Sequence, residues 1–341
     1  MPPDLSIVIP VYNRGDLVHY TLESVARASR GLAVEVVVID DGSEPPAAEA
    51  IARLGYAPTR SIRQDNRGLL FARLAGLAAA TGRYVMFLDS DDLVSGDKLR
   101  LQVSVMDSQR ADLSYTDAAR CALNGDFDRL SIIPEAPYEE TADPATFYIT
   151  IQPAPHSPVF RTDYLQRIVA EPLFPPKSLY NSVAEIWFYH NAALKPARVV
   201  KVPGPYAIGG AHPGVRLTGC WERLGVASLG VMEAFARACP ETPDTAHVRQ
   251  LVAEKAFVSW RRLPSGFSTE FAERELGIWR RLRRETRTDR LGGRGFRTLA
   301  AVAGAVGAAR LLRWWQARPY EPAGRIGDAE FRQLLSALPE P

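Results

Sequence analysis

Short apolar runs rich in β-branched residues recur through the first third of the chain, at Ser6–Val11, Val34–Ile39 and Tyr84–Leu88, with a weaker run at Thr59–Arg63. Each has the length and composition of a buried strand. Helical patterns lie between them, over Asp16–Ala28, Ala47–Leu54 and Leu69–Ala80. Strands alternating with helices predict a parallel sheet covered on both faces. Ser95 is a good N-cap for a further helix reaching about Met106, and a strand candidate follows at Asp112–Thr116.

The pattern then weakens. Asn124–Pro158 is proline-rich and reads as loop. Helical stretches return near Asp163–Val169 and Val183–Leu194, followed by a strand-like "ARVVKVPGPYAI" that ends in "GGAHPGVR". Beyond about Thr218 long helical patterns dominate, with the arginine cluster "RRLRRETRTDRLGGRGFR". The expected organisation is an α/β domain over 1–217, split near 120, and a helical region over 218–341. No repeat or low-complexity tract is present.

Composition narrows the options. With 41 basic and 39 acidic residues in 341, the chain lacks the large basic excess of a dedicated nucleic-acid binder. Its three cysteines, Cys121, Cys220 and Cys239, are scattered and odd in number, so neither a disulfide framework nor a cysteine zinc site is expected. That fits a reducing cytoplasm. The N-terminal apolar run has no basic segment before it and is short for a secretory leader. No run reaches membrane-spanning length.

Candidate chemistry sits where the strands end. In a parallel α/β sheet, ligands bind beyond the carboxyl ends of the strands. The first strand ends in "PVYN", the second in "DDGS" and the Tyr84–Leu88 strand in "DSDD". Asp89 and Asp91, with Ser90 between them, can converge on one hard cation such as Mg²⁺ or Mn²⁺, which commonly shares its shell with substrate phosphates. The plainer alternative is an Asx turn or helix cap, and Asp92 fits a structural role.

In context, these segments resemble the family 2 glycosyltransferases of the GT-A fold. The resemblance runs over most of Leu5–Gly214. It rests on "SIVIPVYNRGDLVHYTLESV", "VEVVVIDDGS", "QDNRGLLFARLAGLAAATGRYVMFLDSDD", "EIWFYHNAA" and "HPGVR", in that order. It implies a GT-A, Rossmann-like mixed sheet flanked by helices, and inverting transfer of a sugar from a nucleoside diphosphate donor, UDP foremost. Pro10 and Tyr12 would line the nucleotide pocket, and Asp41 would accept a hydrogen bond from the base. Asn66, Gly68 and Arg73 would complete the donor site, with Arg73 on the diphosphate. Asp89 and Asp91 would hold the metal, Ser90 would lie beside them, and His212 would approach the metal or the departing diphosphate. Two departures stand out: Leu74 replaces an Asn usual after the arginine, and Ala184 replaces a Glu.

The resemblance sets Glu185 where the family's Glu-Asp pair has its Asp, which makes it the candidate catalytic base; its alternatives are a favourable charge at a helix N-terminus or an inactive enzyme. His156 and Trp187 are acceptor-side candidates, against a loop histidine and a core tryptophan. The acceptor would be a glycan, a lipid-linked glycan or a small molecule. "FRTLAAVAGAVGAARLLRWW" would pack on the catalytic domain or a second subunit, or lie on anionic lipid at the inner membrane face. An inactive nucleotide-sugar scaffold or sensor is the rival reading, and a nucleotidyltransferase is disfavoured because no glycine-rich loop follows the first strand.

Overall fold

The computed structural model describes residues 2–54, 58–214, 219–264, 266–316 and 325–339. They form two compact units: Met1–Pro172 with Lys195–Gly214, and Leu173–Leu194 with Val215–Pro341. The segment 173–194, assigned by its position in the chain to the α/β domain, thus groups with the helical region. The expected boundary at 217, and Val215 and Arg216 of the His-Pro-Gly segment, lie outside the described residues.

The first unit is built on β1 (Leu5–Val11), α1 (Val18–Ala28), β2 (Val34–Asp40), α2 (Ala47–Arg53), β3 (Arg60–Arg63), α3 (Leu69–Ala79) and β4 (Tyr84–Phe87). It continues with β5 (Leu93–Val94), α4 (Lys98–Gln109), β6 (Leu113–Ala122), β7 (Ile133–Pro134), β8 (Val159–Arg161), α5 (Thr162–Ala170) and β9 (Val199–Ala211). One mixed sheet runs in the order β3-β2-β1-β4-β8-β6-β9-β5, with β7 on β6. The strands β3, β2, β1 and β4 are parallel, as their apolar runs predict, and all seven residues of β1 are buried. Side chains of β1, β2 and β4 join α1 and α4 in one core.

Three local expectations change. Ser95 does not cap α4: its amide donates to the Tyr206 carbonyl at 3.1 Å, which holds it against β9, and Asp97 takes the N-cap position. The stretch 124–158 is not all loop. Ile133 and Pro134 pair with Arg120 and Ala119, and Thr146–Ile151 forms a wide helical turn that buries Phe147, Tyr148 and Ile149. The strand expected to stop at Thr116 runs on to Ala122, because β9 pairs with it in parallel along its length across a bulge at Thr116/Ala118.

The second unit contains α6 (Ala184–Ala192), α7 (Trp221–Ala238), α8 (Ala246–Arg262), α9 (Thr269–Leu282), α10 (Thr288–Leu291), α11 (Arg294–Gln316) and α12 (Asp328–Ser336). Its core is aromatic. Phe257 meets Trp260, Trp279 and Phe296 with ring centroids 4.8–6.1 Å apart. Arg274 grips both carboxylate oxygens of buried Glu233 at 2.7 Å. Against expectation, one helix, Arg294–Trp315, is long and apolar enough to cross a membrane by length and composition. Gly304, at φ 69°, breaks it in the middle.

Candidate active site

The parallel register sets Val11 beside Asp40 and Val8 beside Phe87, so the carboxyl ends of β1, β2 and β4 open on the same edge of the sheet. Tyr12 follows β1 with half its surface exposed. Asn13, at φ 50°, turns the chain away, and its side chain accepts from the Glu44 amide at 2.8 Å. Pro10 is buried inside β1 opposite Ile39 and supports the turn from below.

The two aspartates after β2 do different things. Asp40 accepts from the Ser43 and Ala47 amides at 2.8 and 3.0 Å and from Arg63 at 2.8 Å. Burial alone would raise its pKa, but these hydrogen bonds and the Arg63 charge outweigh burial and hold the carboxyl below its usual range. Asp40 therefore holds the turn. Asp41 clasps the loop before α3: Oδ1 accepts from Gln64 at 2.7 Å and from the Arg67 amide at 3.0 Å, and Oδ2 from the Gly68 amide at 2.8 Å. Gly42, at φ 81°, lets the two loops close, since a Cβ there would stand 2.9 Å from the Asn66 nitrogen. Asn66 itself is exposed, and Gly68, at φ 91°, starts α3.

Each acid of the DSDD segment has its own basic neighbour. Asp89 accepts from Arg73 at 2.7 Å, and Arg73 is only 1% exposed. Asp91 Oδ2 lies 2.9 Å from His212 Nε2. The Gly214 amide donates to His212 Nδ1 at 3.1 Å, so in the neutral ring Nε2 carries the hydrogen and donates to Asp91. Asp92 accepts from the Gly210 amide at 3.0 Å and stands 2.9 Å from His156 Nδ1, without the alignment of a hydrogen bond. Gly210 is required here, because a Cβ would fall 2.0 Å from the Asp91 carbonyl oxygen. Strand β9 thus delivers His212 and Gly210 to the loop after β4, and Ser90 is buried beneath it.

Among the described residues, no three His, Cys, Asp or Glu side chains are grouped so as to hold a cation alone. Asp89 and Asp91 nonetheless offer hard oxygen donors. A small divalent ion that keeps water and diphosphate oxygens in its shell needs only one or two carboxylates, so the donor chemistry fits Mg²⁺ or Mn²⁺.

The remaining candidates divide. Arg73 meets Asp89 rather than open space, which differs from the diphosphate contact expected of it. His156 is buried against Asp92, and Trp187 is wholly buried edge-on to Phe188, so neither presents a surface to an acceptor. Glu185 stands half-buried in the first turn of α6, in the helical unit. Sequence reasoning passed over Gln64 and the Asp92–His156 pair. Gln64 opens the "QDNRG" motif, and its position immediately after β3 was the available signal.

The chain is similar to known proteins in sequence and in fold. Residues 6–169 match the model of glycosyl transferase family 2. The succinoglycan biosynthesis protein ExoO of Rhizobium meliloti is 38% identical over 124 residues, which are 36% of this chain and 35% of that protein. The uncharacterized glycosyltransferase YibD of Escherichia coli is 40% identical over 93 residues, 26% of each chain. The matched stretch therefore spans well under two thirds of either relative. Among solved structures, S. aureus TarS 1–349 in complex with UDP-GlcNAc superposes with a TM-score of 0.67 over 93% of both chains, at 20% identity, a likeness of fold. Residues 6–169 thus carry a domain of the glycosyl transferase family 2 kind, and the fold is the GT-A-like mixed sheet with a helical C-terminal region.

Proposed function

We propose that this chain moves a sugar from a nucleoside diphosphate, UDP foremost, to an acceptor nucleophile with inversion at the anomeric carbon. The observation that carries this reading is the convergence of Tyr12, Asp41, Asp89, Asp91 and His212 at one edge of the sheet. Solved complexes of the fold neighbour TarS with UDP-GlcNAc and with UDP support the choice of donor.

In this reading the Tyr12 ring stacks on the base. Asp41 uses three of its roughly four lone-pair positions on the 64–68 loop, and the last accepts the base N–H. Asp89 and Asp91 would hold Mg²⁺ or Mn²⁺, which would supply positive charge to the leaving diphosphate. Arg73, buried under Asp89, orients that carboxylate. His212 orients Asp91 through its Nε2–H. Glu185 takes the proton of the acceptor hydroxyl as it attacks. Acceptors fitting the chemistry are glycans, lipid-linked glycans and small hydroxylated molecules.

Calorimetry of UDP, GDP and dTDP with and without Mn²⁺ tests the donor half, and mass spectrometry of reactions with UDP-sugars and acceptor pools tests the transfer. Tight, Mn²⁺-dependent UDP binding with a glycosylated product is expected. Failure of every nucleotide to bind would end this reading. UDP binding with neither transfer nor donor hydrolysis would mark the scaffold alternative that Ala184 and Leu74 raise.

A further inference from the structure

The second half of α11 has two unlike faces. Ala305, Ala308 and Ala309 are buried at helical spacing, and α11 packs on α8 and α10. Beside that stripe, towards the end of the helix, Leu311, Trp314 and Trp315 recur at i, i+3 and i+4 and are 50%, 81% and 77% exposed. Val302, just ahead of the break at Gly304, is 90% exposed. Tryptophan surface left in water this way is unusual, and a contiguous apolar patch marks an interaction site.

The surrounding charge says what kind of site. From Arg280 to Arg313 the chain carries ten arginines against Glu285 and Asp289, a net of +8. The whole chain has a net charge of only +2, so everything outside this stretch sums to −6. Arg310 is exposed one turn before Trp314, and Arg294 and Arg297 are exposed on the part of α11 that precedes the break at Gly304.

We infer that α11 docks on the surface of an anionic phospholipid bilayer. Trp314, Trp315, Leu311 and Val302 enter the headgroup layer, where amphipathic aromatic rings are favoured. Arg294, Arg297 and Arg310 meet the lipid phosphates, each attracted by the negative surface potential. The helix lies on the membrane and does not span it. Its alanine face is already committed to packing inside the protein, and the break at Gly304 frees backbone groups that hydrocarbon could not satisfy. A second copy of the chain is the poorer occupant, because a two-fold interface sets each patch against itself and would bring two clusters of +8 together.

The test uses the full chain and vesicle flotation. Vesicles of phosphatidylcholine mixed with phosphatidylglycerol should carry the protein up the gradient, pure phosphatidylcholine should not, and added salt should release it. Trp314→Ala with Trp315→Ala should abolish flotation. Arg297→Gln and Arg310→Gln should each weaken partition roughly fivefold, the effect of one arginine near an anionic surface. All four positions are exposed, so unchanged melting temperature and UDP binding serve as folding controls. Absence of flotation on mixed vesicles, or flotation unchanged in both sets of variants, overturns the inference. So does a dimer, seen by sedimentation, that the double tryptophan variant dissolves while the parent chain ignores vesicles; that outcome assigns the face to a second copy.

Discussion

His212 donates from Nε2 to Asp91 across 2.9 Å, although 121 positions of chain separate the two residues. Loss of a group that orients a metal-holding ligand usually costs tenfold to a hundredfold in metal affinity or activity. His212→Ala is expected to lower Mn²⁺-dependent UDP affinity by roughly that factor, and Asp91→Asn by more. Calorimetric titration of UDP, with and without chelator, checks both. Equal affinity in parent and variants would remove this pair from the donor site.

Arg73 and Asp89 should behave as one unit. Removing only Arg73 leaves a largely buried carboxylate without its cation, whereas removing both charges leaves nothing to compensate. Arg73→Met, Asp89→Asn and the double variant form a cycle in chemical denaturation. A favourable coupling of about 1–3 kcal/mol is expected, the range for residues in direct contact. Additive effects would mean that the contact does not govern Asp89.

Asp41 has two tasks that one experiment can separate. Asp41→Ala should loosen the 64–68 loop and weaken UDP binding by about 1–3 kcal/mol, the scale of a charged hydrogen bond lost from a buried site. If Asp41 reads the base, the preference for UDP over GDP should shrink as well. A parallel loss for both nucleotides would leave it with the loop alone.

Glu185→Gln keeps the size of the side chain and cannot accept a proton. Transfer should slow by roughly a hundredfold to ten-thousandfold, the usual contribution of a general base, with UDP affinity nearly unchanged. Lower melting temperature with near-normal turnover per folded molecule would identify Glu185 as a helix-terminal charge instead.

Glu275, on α9, makes stability depend on pH. Burial pushes its carboxyl up to about 8, against the hydrogen bond from Ser259 at 2.6 Å and the Arg313 charge. A folded-state pKa above the unfolded one means that the native state holds the extra proton. The stabilising contribution is therefore complete below the unfolded value and is lost as pH rises through about 8. Glu275→Gln should melt near the parent temperature at about pH 5 and progressively above it towards about pH 8. Parallel melting curves at all pH values would contradict the assignment.

What could be read along the chain was local. The runs Ser6–Val11, Val34–Ile39 and Tyr84–Leu88 are strands because their apolar residues suit only a doubly covered sheet. The motifs PVYN, DDGS and DSDD close or directly follow those strands, so their place at the carboxyl edge came with the strands. The rest depends on partners distant in sequence. No periodicity announces that β9 inserts between β6 and β5 and so brings His212 to Asp91 and Gly210 to Asp92. No motif reveals that Arg73 is buried against Asp89, that Trp187 is wholly enclosed, or that α6 groups with the helical region. Propensity and hydrophobic pattern act over a few residues, while burial and ion pairing are settled by which surfaces the completed sheet and helices bring together.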